Sequence, residues 1–315
     1  MREIVVISGK GGTGKTSITA AFAHLASIRG GAMLCDLDVD APDLHLLLGP
    51  KHFEEHEFRS GFEAVIDPET CVACGTCVDL CRYGAVRKPS WDDPTGYCID
   101  PLRCEGCKVC VQFCPAGAIG FTERHCGQWF ASEMRFGLMV HAQLFPGSEN
   151  SGRLVALLKK EARARAEVLG LDLILCDGAP GIGCPVISSL SGASQAVIVT
   201  EPTPSGRHDL LRVADLCRHF RVPVAVIINK FDLNRQNTAD LEAYCKDQGH
   251  TLLGRLPHDE VVVRAMIQER CVTELPASAF SDALRSLWEQ IVTLDSRAAA
   301  RNGASPVLFQ PTPNA

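Results

Sequence analysis

Short apolar runs rich in valine and isoleucine recur at Ile4–Ile7, Leu173–Cys176 and Val224–Ile228, each unalternating and bounded by Gly, Asp or Asn. That pattern predicts strands buried on both faces. Ala32–Asp38, Ala196–Thr200 and Thr251–Leu256 are weaker runs of the same kind, and helical patterns fall between them at Thr16–Ile28, Gly152–Leu169, Gly206–His219 and Thr238–Gln248. The alternation predicts an α/β fold built on a mostly parallel sheet.

The alternation breaks between residues 61 and 122, where cysteines crowd into a Pro- and Gly-containing stretch with no long helical pattern. Laid on itself at an offset of 33 residues, the stretch pairs Ile66-Asp67-Pro68 with Ile99-Asp100-Pro101, and Gly84-Ala85-Val86 with Gly117-Ala118-Ile119. It reads as a tandem duplication inserted into the main domain. The expected organisation is a discontinuous main domain at 1–60 and 123–295 and a small α+β insert at 61–122. The expected tail, 296–315, is disordered, because Pro306, Pro311 and Pro313 follow a stretch without periodicity.

Composition narrows the function classes. Of 315 residues, 46% are hydrophobic and 22% charged, which excludes wholesale disorder. Thirty-one Lys and Arg against 37 Asp and Glu leave a net charge of −6, so nothing favours nucleic acid or an anionic membrane as a partner. No apolar run approaches the ~18–20 residues of a spanning helix, and the first residues lack a signal-peptide pattern, so a cytoplasmic protein is expected. Sixteen cysteines in such a compartment are not read as disulfides.

Gly9-Lys10-Gly11-Gly12-Thr13-Gly14-Lys15-Thr16-Ser17 lies directly after a predicted strand and before a predicted helix, where a phosphate-binding loop belongs. The glycines let backbone N–H groups converge on phosphate oxygens, and the helix N-terminus adds partial positive charge. Lys15 can bridge the β- and γ-phosphates, and Thr16 can ligate Mg²⁺. A plain glycine-rich turn is the competing interpretation, disfavoured by this placement. Asp36 and Asp38 are two residues apart at the end of a predicted strand and so face one side. Asp40 is read as the cap of a helix running to Leu48 and stopped by Gly49.

The second lysine of the loop, Lys10, makes it similar to the deviant phosphate loop of the MinD/ParA family, which nitrogenase iron proteins and Mrp-type iron–sulfur ATPases share. The resemblance implies a MinD-like fold, ATP as ligand, and a dimer across which Lys10 reaches the partner's nucleotide. It further implies that Asp38 orients the attacking water, that Asp36 supports Mg²⁺, and that Asp177 is the Walker-B acid. Asp177-Gly178-Ala179-Pro180-Gly181 would be the second switch. Asn229-Lys230-Phe231-Asp232 resembles the guanine-reading motif of GTPases, whereas the family resemblance assigns adenine contacts to Asn229, Pro257 and Asp259. ATP is the favoured nucleotide because the loop form is the more specific signal.

Within the insert, Cys71, Cys74, Cys77 and Cys81 form C-x₂-C-x₂-C-x₃-C, repeated as Cys104, Cys107, Cys110 and Cys114, with Pro115 after the second run. In this pattern three thiolates hold one cubane and the fourth reaches the other cluster. Cluster one is therefore expected on Cys71, Cys74, Cys77 and Cys114, and cluster two on Cys104, Cys107, Cys110 and Cys81. Structural zinc fits poorly, since its usual sites pair two C-x₂-C units across a longer loop. The insert resembles a bacterial two-[4Fe–4S] ferredoxin, except that Arg82 replaces the usual proline. That cation predicts a slightly raised potential for the nearer cluster. Cys184 is read as a structural thiol ahead of a shared dimer ligand, and most of the other cysteines as buried small residues.

The expectation that follows is an ATPase switch of MinD type coupled to electron transfer through two [4Fe–4S] clusters. It would work as a homodimer, or a heterodimer with a related ATPase, and meet a redox or iron–sulfur acceptor protein. The alternatives are an iron–sulfur carrier of Mrp or Nbp35 type and a spatial organiser with redox-sensing clusters.

Overall fold

The computed structural model describes residues 1–88 and 96–302. In chain order the first half contains β1 (Arg2–Ser8), α1 (Lys15–Ser27), β2 (Met33–Asp36), α2 (Leu44–Leu48), β3 (Lys51–Ile66), α3 (Thr76–Leu80), β4 (Val86–Arg87), β5 (Cys98–Ile99), α4 (Val109–Gln112), β6 (Ile119–Met134) and β7 (Gly137–Leu144). The second half contains α5 (Ser151–Leu169), β8 (Leu173–Pro180), α6 (Cys184–Leu190), β9 (Gln195–Thr200), α7 (Pro204–His219), β10 (Val224–Asn229), α8 (Arg235–Asp247), β11 (Thr251–Leu256), α9 (Val261–Ile267) and α10 (Ala279–Asn302).

Nine strands form one sheet in the order β11-β10-β9-β1-β8-β2-β7-β6-β3. Pairing is parallel from β11 through β7. It becomes antiparallel at β7–β6 and β6–β3. The strand period of two sends successive residues of β1 to opposite faces. Ile4 and Val6 join a core with Phe22 of α1 and Trp288 of α10, while Val5 and Ile7 join a second core with Leu154 and Leu158 of α5 and Leu210 of α7. Both faces are thus covered, which explains why the central strands are continuously apolar. Cys35 and Cys176 pair in register in the second core, one residue ahead of the paired Asp36 and Asp177. Cys126, Cys217, Cys245 and Cys271 are buried too. Cys184 departs from the structural-thiol expectation: it is exposed at the start of α6.

The three strands β3, β6 and β7 lie outside the apolar-run pattern. β3 and β6 form an arm at the sheet edge whose outer strand carries Glu54, Glu55, Glu57, Arg59 and Glu63. Charge on an edge strand blocks pairing with other chains, and it also masks the strand in the sequence. The pairing runs past positions 61 and 122, to Ile66 opposite Ile119. Between these two residues the duplicated segment folds on itself with crossed hydrogen bonds. Asp67 N–H donates to Ala118 O at 2.8 Å, and Asp100 N–H, 33 residues on, donates to Ala85 O at 2.7 Å.

Two boundary expectations are revised. Helix α10, which is not among the helices the sequence pattern predicts, runs from Ala279 to Asn302 and so enters the stretch expected to be a disordered tail. The rest of the expected tail, 303–315, lies outside the described residues. Helix α2 starts at Leu44 with Asp43 as its N-cap, not at Asp40, and Gly49 in the left-handed region ends it as expected. Among the described residues no helix is long and apolar enough to cross a membrane.

Candidate nucleotide site and cysteine cradle

The phosphate loop leaves β1 at the C-terminal edge of the sheet and turns into α1. Gly12 and Gly14 take left-handed φ of 78° and 91°, and a side chain at Gly14 would meet Asn229 Nδ2 at 2.5 Å. The turn therefore needs glycine for conformation and for space. Asn229 Nδ2 donates to Thr13 O at 2.8 Å, tying the end of β10 to the loop.

Lys15 lies among three carboxylates. Its ammonium is 2.8 Å from Asp177 Oδ2 and 3.8 Å from Asp38 Oδ2. Burial works to lower its pKa, but Asp177, Asp36 and Asp38 outweigh burial and the net shift is upward. Asp177 is spent on the loop: Thr16 Oγ1 and Thr19 Oγ1 each donate to it at 2.8 Å. Asp36 Oδ1 accepts from Asp38 N–H at 3.1 Å and its Oδ2 from Leu44 N–H at 3.3 Å. Burial, reinforced by Asp177, pushes the Asp36 carboxyl well up. Asp38 is raised to about 6, first by burial and then by Asp177, with Lys15 opposing. One cation thus faces three acidic groups, an excess of negative charge that a divalent cation would relieve.

A cleft of about 670 Å³ opens beside the loop, within the size range of ligand sites. Gly11 through Ser17, Asp38, Asn229, Pro257 and Asp259 line it, so the residues expected to hold nucleotide converge there, joined by Lys230, His258, Val263 and Met266. Asp36 and Asp177 sit behind the lining. Of the guanine-like motif, Asp232 Oδ1 accepts from His258 N–H at 2.7 Å and so holds the Pro257–Asp259 loop. Asp259 Oδ1 accepts from Val261 N–H at 2.8 Å at the start of α9.

Glu201, within Glu201-Pro202-Thr203-Pro204-Ser205-Gly206, has a role the sequence did not disclose. Its carboxylate takes Lys10 Nζ at 2.6 Å and Lys230 Nζ at 3.3 Å, and Lys230 Nζ also donates to Gly12 O at 2.9 Å. Burial opposes its ionisation, but Lys10 and Lys230 prevail and hold the carboxyl below its ordinary range. Lys10 Nζ donates to Ser205 Oγ at 2.9 Å as well, so within a single chain it rests against its own α7 start. The roles of Thr19, Glu201 and Lys230 were not legible in the sequence because their partners lie far along the chain, although Lys230 stood within the guanine-like motif.

In the insert the two repeats adopt the same backbone. Ala73 and Gly106 take φ of 56° and 61°, and Gly75 and Lys108 take 81° and 66°. Ala73 and Lys108 thus hold the left-handed conformation at positions where the other repeat has glycine. Cys71, Cys74, Cys77 and Cys114 line one pocket together with Ile66, Tyr97 and Ile119. Cys110 is pushed up by burial and then by the neighbouring Cys104, Cys107 and Cys81. The thiols therefore group across the repeats, with Cys81 and Cys114 exchanged. Ala85 N–H donates to Cys81 Sγ at 3.4 Å and Ala118 N–H to Cys114 Sγ at 3.3 Å. Among the described residues no three His, Cys, Asp or Glu side chains come together closely enough to hold a metal ion.

Residues 4–272 match the CobQ/CobB/MinD/ParA nucleotide binding domain. An uncharacterized protein of Methanocaldococcus jannaschii is 34% identical over 237 residues, covering 75% of this chain and 80% of that protein. A cytosolic Fe-S cluster assembly factor Nubp1 homolog of Drosophila grimshawi is 21% identical over 92% of this chain and 81% of its own length. Among solved structures, the septum site-determining protein MinD of Pyrococcus horikoshii, complexed with Mg-ADP, superposes with a TM-score of 0.57 at 18% identity, covering 93% of this chain and 96% of that one. That last likeness concerns the fold alone. With its glycine loop, sheet order and family match spanning most of its length, the chain belongs to the CobQ/CobB/MinD/ParA family of nucleotide-binding domains.

Proposed function

We propose that the protein is an ATP-hydrolysing dimerisation switch whose nucleotide state governs two [4Fe–4S] clusters held by the insert. The observation that carries this reading is the crossed grouping of eight thiols on an arm continuous with the nucleotide-binding sheet. The donor set suits cubanes: four thiols to a site, backbone N–H groups on Cys81 and Cys114, and loops with the left-handed residues typical of anion-binding nests. Structural zinc would instead pair two C-x₂-C units across a longer loop, which neither cysteine run does. The clusters, when bound, supply one-electron redox chemistry.

At the nucleotide cleft, Gly11 through Ser17 bind the phosphates and Lys15 neutralises charge on the transferred group. Thr16, with Asp36 and Asp177 behind it, would hold Mg²⁺, which neutralises phosphate charge. Asp38 orients water. Lys10 leaves Glu201 and crosses to the nucleotide of a second, identical or related, chain. Asn229, Pro257 and Asp259 surround the base, and the use of Asp232 to hold the 257–259 loop favours adenine over guanine.

The likeness to an Fe-S cluster assembly factor supports a second reading, in which clusters are delivered to an acceptor protein. Anaerobically prepared protein incubated with an apo-ferredoxin separates the two. An electron carrier keeps about eight irons per chain over an hour, whereas a carrier of clusters surrenders them in minutes. About four irons or none at the outset would reject both.

A further inference from the structure

The two cysteine sites are not electrostatically equivalent, and part of the difference lies in a residue outside the duplicated segment. Arg124 is on β6, where the pairing with β3 slips: Arg59 faces His125 and Phe62 faces Glu123, leaving Ser60 and Gly61 opposite Arg124 alone. Gly61 takes φ of 73°, as the extra residue of such a bulge requires. Bulges re-aim side chains, and here the Arg124 guanidinium donates to the carbonyl oxygen of Cys104. Its Nε lies 3.7 Å from Glu63 Oε2, is buried, and has no hydrogen-bond partner among the described residues. The Cys104–Cys107 loop is seated closely on this arm, since a side chain at Gly106 would come within 2.4 Å of Phe62 O. By contrast, among the described residues the pocket of Cys71, Cys74, Cys77 and Cys114 has no charged side chain in its lining.

Resting on the cluster reading above, we propose that Arg124 is a tuning residue that makes the cluster of Cys104, Cys107, Cys110 and Cys81 the higher in potential of the two. Guanidinium stays charged at any pH the fold tolerates. With its side chain only 19% exposed and touching the main chain of a ligand residue, its field at the cluster is poorly screened. A nearby cation favours the form that has gained an electron, so it raises the potential. Glu63 opposes this from the far end of the guanidinium and reduces the effect without cancelling it. Arg82, the cation singled out in the sequence, is exposed and contributes less. An electron taken from a low-potential one-electron donor therefore comes to rest on the second cluster, against the arm that leads into the nucleotide-binding sheet.

The test is a redox titration of the full-length protein, followed by low-temperature electron paramagnetic resonance. Cys107→Ser and Cys74→Ser assign the two midpoints, each abolishing or perturbing one. Arg124→Gln is expected to lower the higher midpoint alone, Arg124→Lys to leave it nearly in place, and Glu63→Gln to move it upward. Iron content near the wild-type value shows that the variants have folded. Unchanged midpoints in Arg124→Gln, or movement of the lower one only, overturn the tuning role while leaving the cluster reading intact. Wild-type protein without iron overturns both.

Discussion

Replacing Asp38 with asparagine is expected to lower the turnover number for ATP by about 10²–10³-fold while leaving ATP affinity within a few-fold. Three carboxylates surround Lys15, but only Asp38 lines the cleft. Asp177 is occupied by Thr16, Thr19 and Lys15, and Asp36 by the N–H groups of Asp38 and Leu44. Asparagine nearly preserves the shape of Asp38 and removes its charge, so it isolates the role of a carboxylate acting on water. The same group sets a pH limit. Its pKa of about 6 is raised, so the ionised form is lost as pH falls through 6, and kcat/KM, which reports the free enzyme, should fall about tenfold per pH unit below that value. Above it the rate should be flat. The asparagine variant should lack the acidic limb. A variant that turns over within threefold of wild type, or a wild-type profile with no change near pH 6, would remove Asp38 from the mechanism.

Serine at two cysteines of one group should cost one cluster, and serine at Cys74 together with Cys81, which share a repeat but not a group, should cost both. Cys74 and Cys114 lie in different repeats but share a pocket, so Cys74→Ser/Cys114→Ser should retain about four of eight irons. Cys74 and Cys81 are neighbours in the sequence but belong to different groups. Cys74→Ser/Cys81→Ser should therefore lose nearly all iron. Uncrossed ligation gives the reverse outcome, and iron analysis with the visible spectrum of each variant distinguishes them. Because neither pair touches the phosphate loop, both proteins should still bind ATP.

The legible parts of this molecule are those in which function and local sequence coincide. Val5, Ile7, Ile174 and Ile198 sit in strands covered on both faces, so composition alone revealed them. The glycine loop and the two cysteine runs are contiguous motifs with fixed spacing. By contrast, Glu54, Glu55 and Glu57 disguise an edge strand as a surface segment, and the polar His141 and Gln143 interrupt the apolar pattern of β7. Glu201 gathers Lys10 and Lys230 from positions nearly 200 and 29 residues away, and Arg124 meets Cys104 across 20. No periodicity encodes such pairings, which exist only once the sheet order is set. Thr203 could have been found earlier: a threonine before Pro204, accepting from Gly206 N–H at 3.0 Å, is a helix cap of ordinary form.

The nucleotide cleft and the thiol cradle share one polypeptide, joined through β3, β6 and the parallel strands beyond them. Coupling requires that Mg·ATP interact differently with two arrangements of that body, since a ligand shifts an equilibrium only by its differential affinity. The most direct measurement is anaerobic: both cluster midpoints recorded with and without Mg²⁺ and a non-hydrolysable ATP analogue, at a protein concentration that saturates the dimer. A displacement of at least one midpoint on adding the analogue is the predicted result. Identical midpoints, together with identical electron-transfer rates to a soluble acceptor, would contradict the claim that events at the phosphate loop govern the metal centres.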